Sequence, residues 1–298
     1  MISVLMTIYK EPWNWIERAL YSLKKQTYQD IELILVIDNP QSELIAKVKD
    51  YVDKNFDVSK VIINKKNKGL VKSLNIAFNY ANGSYIARMD SDDICYENRF
   101  SNEMEFIKKN NLDFVATAID LIDTDGEKIK KISLGKDLIG KQVKKLEKRT
   151  NQFWHPTWLL KREVMKNLGG YRAVPSAEDY DFVARALLKK YKLGILNKAL
   201  VRKRINQNSI SELDTYRQTL IAQSIAKGLK NGNEIDLNYL PNVTERDKKK
   251  YLEIKTAFVN RHNIKCSALV NLIMKLVGTS QGRIFLKSIL LQKMGARL

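Results

Sequence analysis

The sequence predicts an α/β fold in which a mainly parallel sheet is flanked by helices and followed by a helical C-terminal region. Three observations carry this reading. Short β-rich apolar runs alternate with segments of helical period through the first half of the chain, the pattern of βαβ units. Those runs end in polar clusters, which is where strands of an open α/β sheet meet a ligand. From about residue 216 the strand signals stop and the chain reads as helical.

The elements follow in order. Residues 3–9 are apolar but too short to cross a bilayer, and they lack a basic leader and a small-residue cleavage site. They are expected to be a buried first strand rather than a targeting segment. Ile16, Leu20 and Leu23 then fall at helical spacing, as do Leu70, Leu74, Ala77 and Phe78. Strands are expected at residues 31–37, 60–64 and 85–89. Another run spans residues 114–121, with a turn at Asp123-Thr124-Asp125-Gly126. The Lys-rich stretch to Arg149 is expected to be a mobile or solvated connection. A new block begins near Phe153 and carries Trp154-His155-Pro156-Thr157-Trp158, Gly169-Gly170-Tyr171-Arg172 and Glu178-Asp179-Tyr180-Asp181 before a helical run through Lys189. The expected division is a catalytic domain over residues 1–215, in halves 1–112 and 113–215, and a basic amphipathic helical region over 216–298.

Composition narrows the function classes. With 298 residues, 44% hydrophobic content and 5 prolines, the chain is an ordinary folded protein. Cys95 and Cys266 form neither a metal-ligand spacing nor a disulfide framework, which points to a reducing, cytoplasmic setting. Asn271 and Lys275 interrupt the best candidate membrane span. The net charge of +19 raises nucleic acid and anionic membrane as partners. Its placement favours the second, because residues 254–298 hold no acidic side chain and mix lysines and arginines with leucines and isoleucines. A peripheral location at the inner membrane face is the expectation. Nucleic acid is disfavoured, since clustered carboxylates at strand ends repel phosphate and no nucleic-acid motif is present. A dinucleotide cofactor is disfavoured too, because Tyr9-Lys10-Glu11-Pro12-Trp13 has no glycine-rich turn after the first strand. Homo-oligomerisation stays open.

Three polar clusters converge on one sheet edge: residues 7–11, Asp38-Asn39, and Asp90-Ser91-Asp92-Asp93. The Asp-x-Asp spacing of Asp90 and Asp92 suits a hard divalent cation, Mn²⁺ or Mg²⁺, that holds a diphosphate. The same residues also suit a turn or a helix cap, and Asp93 is a candidate cap for the next helix.

In this order the motifs resemble the inverting glycosyltransferases of family 2, which have the GT-A fold, and in particular those that build bacterial surface polysaccharide. The carriers are residues 3–11, Ser22-Leu23-Lys24-Lys25-Gln26-Thr27-Tyr28, residues 32–38, Asn67-Lys68-Gly69-Leu70, Asn82 through Asp93, Gly169-Gly170-Tyr171-Arg172 and Glu178-Asp179-Tyr180-Asp181. The resemblance covers about the first 210 positions, and the ordered set is far more specific than any one motif. It implies a UDP-sugar donor and a glycan acceptor, expected to be lipid-linked. Thr7 and Tyr9 would line the base pocket and Asp38 would meet the uracil edge, with Glu11, Asn67 and Arg88 in the same nucleotide-sugar half. Asp92 would be the main metal ligand, and Asp90 would support the ribose or a metal-bound water. Asp179 would be the base that takes the acceptor proton, with Glu178 orienting the acceptor or supporting the base. His155 and Trp154 would shape the acceptor side, although a structural histidine is an equal reading. Arg185 would reach the diphosphate or simply pair with a neighbouring carboxylate. Two departures stand out: Asn206, an oxygen ligand, where the family often has a histidine, and Asp38-Asn39 where paired aspartates are common. A sugar nucleotidyltransferase is the runner-up, but it needs a Gly/Arg-rich loop that residues 9–13 do not supply. A non-enzymatic nucleic-acid binder is the third reading.

Overall fold

A computed structural model describes residues 1–205, 214–259, 272 and 274–295. Asn206 lies outside the described residues. The first half is a run of β/α units: β1 (Ile2–Ile8), α1 (Trp13–Lys24), β2 (Ile31–Ile37), α2 (Ile45–Asn55), β3 (Ser59–Ile63), α3 (Leu70–Tyr80) and β4 (Tyr85–Asp90). These strands run parallel in the order β3-β2-β1-β4. The register sets Thr7 of β1 between Val36 of β2 and Asp90 of β4, so the polar strand ends meet at one edge.

The chain continues through β5 (Ile94–Cys95), α4 (Arg99–Asn110), β6 (Phe114–Ile122), β7 (Lys128–Ile132), β8 (Leu138–Ile139) and α5 (Lys141–Glu147). A 3-10 turn at His155–Thr157 leads into β9 (Leu159–Lys161), α6 (Arg162–Asn167), α7 (Glu178–Leu188) and β10 (Leu193–Arg204). Short β9 lies antiparallel between β4 and β6. It carries the 155–158 segment to the middle of the sheet. The 12-residue β10 runs parallel to β6 with two register shifts, and its end pairs with β5.

Alternate residues of each central strand enter opposite cores, which is why the strands read as nearly continuous apolar runs. Leu5, Ile34 and Val36 pack under α3 and α7, while Val4, Met6, Leu33 and Leu35 pack under α1, α2 and α4. The Lys-rich stretch departs from expectation: it is folded. Asp123 Oδ1 accepts from the amides of Asp125, Gly126 and Glu127 and closes the turn. β7 then pairs with β6, and α5 buries Val143 and Leu146. Its lysines sit on the solvent side, and the apolar residues three apart anchor it.

Helix α8 (Thr215–Asn231) places Ile221, Ile225 and Leu229 in the main core. Its Tyr216 joins a separate cluster with Tyr251 and Ile254 of α9 (Glu245–Val259) and Phe285 of α10 (Ser280–Gly295). The described part of the basic tail is therefore packed helices, although Leu252, Met274, Val277 and Leu290 stay exposed. Among the described residues no helix is long and apolar enough to cross a membrane.

Candidate active site

The edge where β1, β2 and β4 end holds the predicted nucleotide half. Asp38, one residue past β2, is buried. Its Oδ1 accepts from Asn64 Nδ2 at 2.7 Å and the Lys68 amide at 2.8 Å, and its Oδ2 accepts from the Gly69 amide at 2.7 Å. Asp38 thus folds the 64–69 loop over the strand ends, and Asn67 Oδ1 reinforces it through the Gly69 amide. Gly69 adopts φ +79°, a left-handed conformation that favours glycine. Tyr9 is exposed, and Glu11 accepts from its amide at 2.7 Å.

Three carboxylates gather beyond β4. Ligand oxygens of Asp90, Asp92 and Asp93 all lie within 4.8 Å of one another. The buried Arg88 guanidinium pairs with Asp90 in the same strand. Burial alone would raise the Asp90 carboxyl, but Arg88 and then Lys203 outweigh it and hold the group at about 2. Asp92 moves the other way, pushed up to about 6 by burial and then by the Asp90 charge. Asp93 does not cap a helix. It is fully buried, Oδ1 accepts from the Arg204 amide at 2.8 Å, and Oδ2 has no partner among the described residues. The reason lies in the topology: β5 follows Asp93 directly, and Asn98 occupies the start of α4. An all-oxygen set of three carboxylates, one with an orphaned buried oxygen, fits a hard divalent cation.

The second acidic segment opens α7. Asp179 accepts from Asn151 Nδ2 at 2.9 Å and the Tyr180 amide at 2.7 Å. Burial raises its carboxyl above the ordinary range. Burial and then the Asp179 charge push Glu178 up to about 7. Arg88 lies in electrostatic range of both, and Glu178 also feels Asp90. Between the two acidic segments, His155 Nε2 meets Tyr171 Oη at 2.8 Å, and its ring packs edge-on to Trp158 at 4.6 Å. Burial and then Arg88 hold this imidazole well below its usual range, so it is neutral at pH 7. Trp154 is half-buried beside it, with its carbonyl accepting from the Thr157 amide.

Of the two roles open to Arg185, the structure displays carboxylate pairing. Its Nε donates to Asp181 Oδ2 at 2.9 Å, Nη1 to the Leu168 carbonyl at 2.7 Å and Nη2 to the Gly170 carbonyl at 2.8 Å. It braces the Gly169-Gly170 turn, where both glycines have positive φ. Asn75 bonds both the amide and the carbonyl of Tyr171, directly after that turn. Sequence reasoning missed Asn151, because nothing in a single sequence marks an asparagine that orients a carboxylate 28 residues away. It also missed Lys203, though strand alternation in Val201-Arg202-Lys203-Arg204 separates that lysine from the arginines on either side.

Comparison with known proteins agrees with this geometry. The family model described as glycosyl transferase family 2 matches residues 3–169. The chain is 30% identical over 207 residues to an uncharacterized glycosyltransferase of Methanocaldococcus jannaschii, covering 69% of this chain and 71% of that one. It is 32% identical over 192 residues to the O-antigen biosynthesis glycosyltransferase WbnJ of Escherichia coli, covering 63% and 72%. Among solved structures it is similar to TarS 1-349 of S. aureus, crystallised with UDP-GlcNAc, at TM-score 0.62 and 17% identity, covering 99% of this chain and 90% of that one. A sheet of this topology, its two acidic segments and the matched motifs have one common explanation: the chain belongs to glycosyl transferase family 2 and is a glycosyltransferase with the GT-A fold.

Proposed function

We propose that the protein transfers a sugar from a UDP-sugar to a hydroxyl of a glycan acceptor, with inversion at the anomeric carbon, in the synthesis of a bacterial surface polysaccharide. The observation that carries this reading is the approach of the two acidic segments, with Arg88, His155 and Tyr171 between them. The O-antigen role of WbnJ supports the acceptor class, and the UDP-GlcNAc held by TarS supports the donor class.

Asp92 and Asp90 would hold Mn²⁺ or Mg²⁺, with Asp93 adjoining them. A divalent cation bound there would offset the negative charge that develops on the leaving diphosphate. Asp179 takes the proton from the acceptor hydroxyl as that oxygen bonds the anomeric carbon, while the electron pair of the breaking C–O bond leaves with the nucleotide. Asn151 and the Tyr180 amide fix the orientation of this carboxylate. Glu178, at about 7, supports the acceptor as a partly neutral group. Tyr171 and the neutral His155 close the inner wall without adding charge.

Turnover of UDP-sugars with Mn²⁺ or Mg²⁺, repeated in chelator, tests the reading. Metal-stimulated release of UDP is expected, and absence of any UDP binding would overturn the donor class. The exposed basic residues Lys275, Arg283 and Lys287 favour contact with anionic lipid at the cytoplasmic membrane face, which would bring a lipid-linked acceptor to the site.

A further inference from the structure

Among the described residues Lys203 has no direct partner, and its surroundings give it one ligand to meet. It is the penultimate residue of β10 and half-buried. Its neighbours Arg202 and Arg204 lie over the Tyr96 and Trp15 rings. Strand alternation therefore turns Lys203 to the opposite side. The Arg204 amide donates to Asp93 Oδ1 at 2.8 Å, and Arg204 Nε donates to the Asp92 carbonyl at 2.9 Å. These two bonds dock the strand end directly onto the carboxylate cluster. Lys203 is the strongest cationic neighbour of both Asp92 and Asp93, and for Asp90 it ranks behind only Arg88. Among the described residues, however, its ammonium makes no direct ion pair or hydrogen bond.

Arg88 is already paired with Asp90. Among the described residues Arg88 keeps its Nε and Nη1 without a partner, but Lys203 is the stronger cation at Asp92 and Asp93, and Asp93 Oδ2 is also orphaned. A half-buried ammonium held near carboxylates but bonded to none of them lacks the direct contacts that normally repay its lost hydration. An oxyanion entering the space above the cluster supplies them.

We propose that Lys203 is a diphosphate-binding residue, a built-in cation that contacts the donor's phosphate oxygens alongside any divalent metal. The proposal rests on the UDP-sugar reading above. It has two opposed consequences, because Lys203 and a metal compete for the same carboxylates but cooperate on the same phosphates. Removing the ammonium weakens the hold on diphosphate when metal is absent. It also leaves the carboxylates less neutralised, which strengthens their hold on a metal alone.

Binding of UDP, uridine and Mn²⁺ to the full chain, measured by calorimetry, tests both. In chelator, Lys203→Met is expected to lose about tenfold or more in UDP affinity, the loss of one charge-assisted hydrogen bond, with uridine affinity unchanged. Lys203→Arg should keep most of the UDP affinity. Without nucleotide, Lys203→Met should bind Mn²⁺ at least about threefold more tightly, as expected when a like charge is removed nearby. Equal loss of UDP and uridine would mark a structural role and overturn the proposal, as would UDP affinity unchanged in Lys203→Met while the unsubstituted chain binds UDP. If the unsubstituted chain binds no UDP at all, the donor reading falls first and takes this proposal with it.

Discussion

Replacing Asp181 by asparagine removes the anion at the centre of a buried cluster between α7 and the Gly169-Gly170 turn. Asp181 is 1% exposed and accepts from Arg185 Nε at 2.9 Å and Arg172 Nε at 3.0 Å. The two arginines are not equivalent. Arg172 is 26% exposed and keeps Glu234 at 2.9 Å, so its share is that of a surface pair, roughly 0–1 kcal/mol. Arg185 is 4% exposed and has no second anion among its contacts. Stripping one partner from a buried pair costs roughly 3–5 kcal/mol. The asparagine oxygen can still accept one bond, which places the loss near the lower end, about 3 kcal/mol. For a chain of this size that is on the order of 6–12 °C in Tm. Urea denaturation followed by circular dichroism measures it directly. A companion variant, Asp181→Leu with Arg185→Met, removes both charges but also the Arg185 bonds to the Leu168 and Gly170 carbonyls, so it should recover only part of the loss. A single-variant loss below about 1 kcal/mol, or a companion no better than the single variant, would refute the reasoning.

Other outcomes follow from the same geometry. Burial raises Asp179, and Glu178 reaches about 7. A raised carboxyl is protonated below its raised value, so the proton-accepting form is lost as pH falls and kcat should decline on the acid side of neutrality. Asn151→Leu removes a hydrogen bond to the ionised Asp179, so the acid limb of kcat measured from pH 5 to 9 should move to higher pH; a limb that stays put or moves down contradicts the assignment. Gly170→Ala puts a Cβ 2.5 Å from Asn75 Oδ1 at a residue with φ +75°. A loss of about 1–2 kcal/mol from the backbone conformation alone is expected in thermal melts, and a neutral result would mean that the turn is more adaptable than its contacts imply. Charge reversal at Lys275, Arg283 and Lys287 should reduce pelleting with anionic vesicles by several-fold at low salt; equal pelleting of the reversed and original chains rules out docking through this face.

The β/α half of the fold was legible because both of its signals are local. Apolar runs at residues 3–9, 31–37, 60–64 and 85–89 land within a residue or so of β1 to β4. Burial on both faces makes such runs unmistakable. The polar strand ends were legible for the same reason, since parallel strands bring their carboxyl ends to one edge. What was not legible depends on contacts between distant segments. β9 has three residues, too few for a periodic signal, yet it centres His155 and Trp158 in the sheet. Lysine density from Lys128 to Lys148 hid the two buried apolar side chains of α5, Val143 and Leu146. Asp93 read as a cap because Asp-Ser-Asp-Asp suits one, while its actual partner, the Arg204 amide, lies 111 residues on. Asn151 left no signal and Lys203 only that of strand alternation, because each acts only through a neighbour that the fold supplies.

The central claim is that two acidic segments share one sugar-nucleotide site and that Asp179 removes the acceptor proton. Asp179→Asn tests it most directly when kcat and UDP affinity are measured on the same preparation. The account predicts a fall in kcat on the order of 100- to 10,000-fold, with UDP binding unchanged because that contact belongs to the other segment. Activity within about tenfold of the unsubstituted enzyme, which one unneeded proton acceptor would allow, contradicts it.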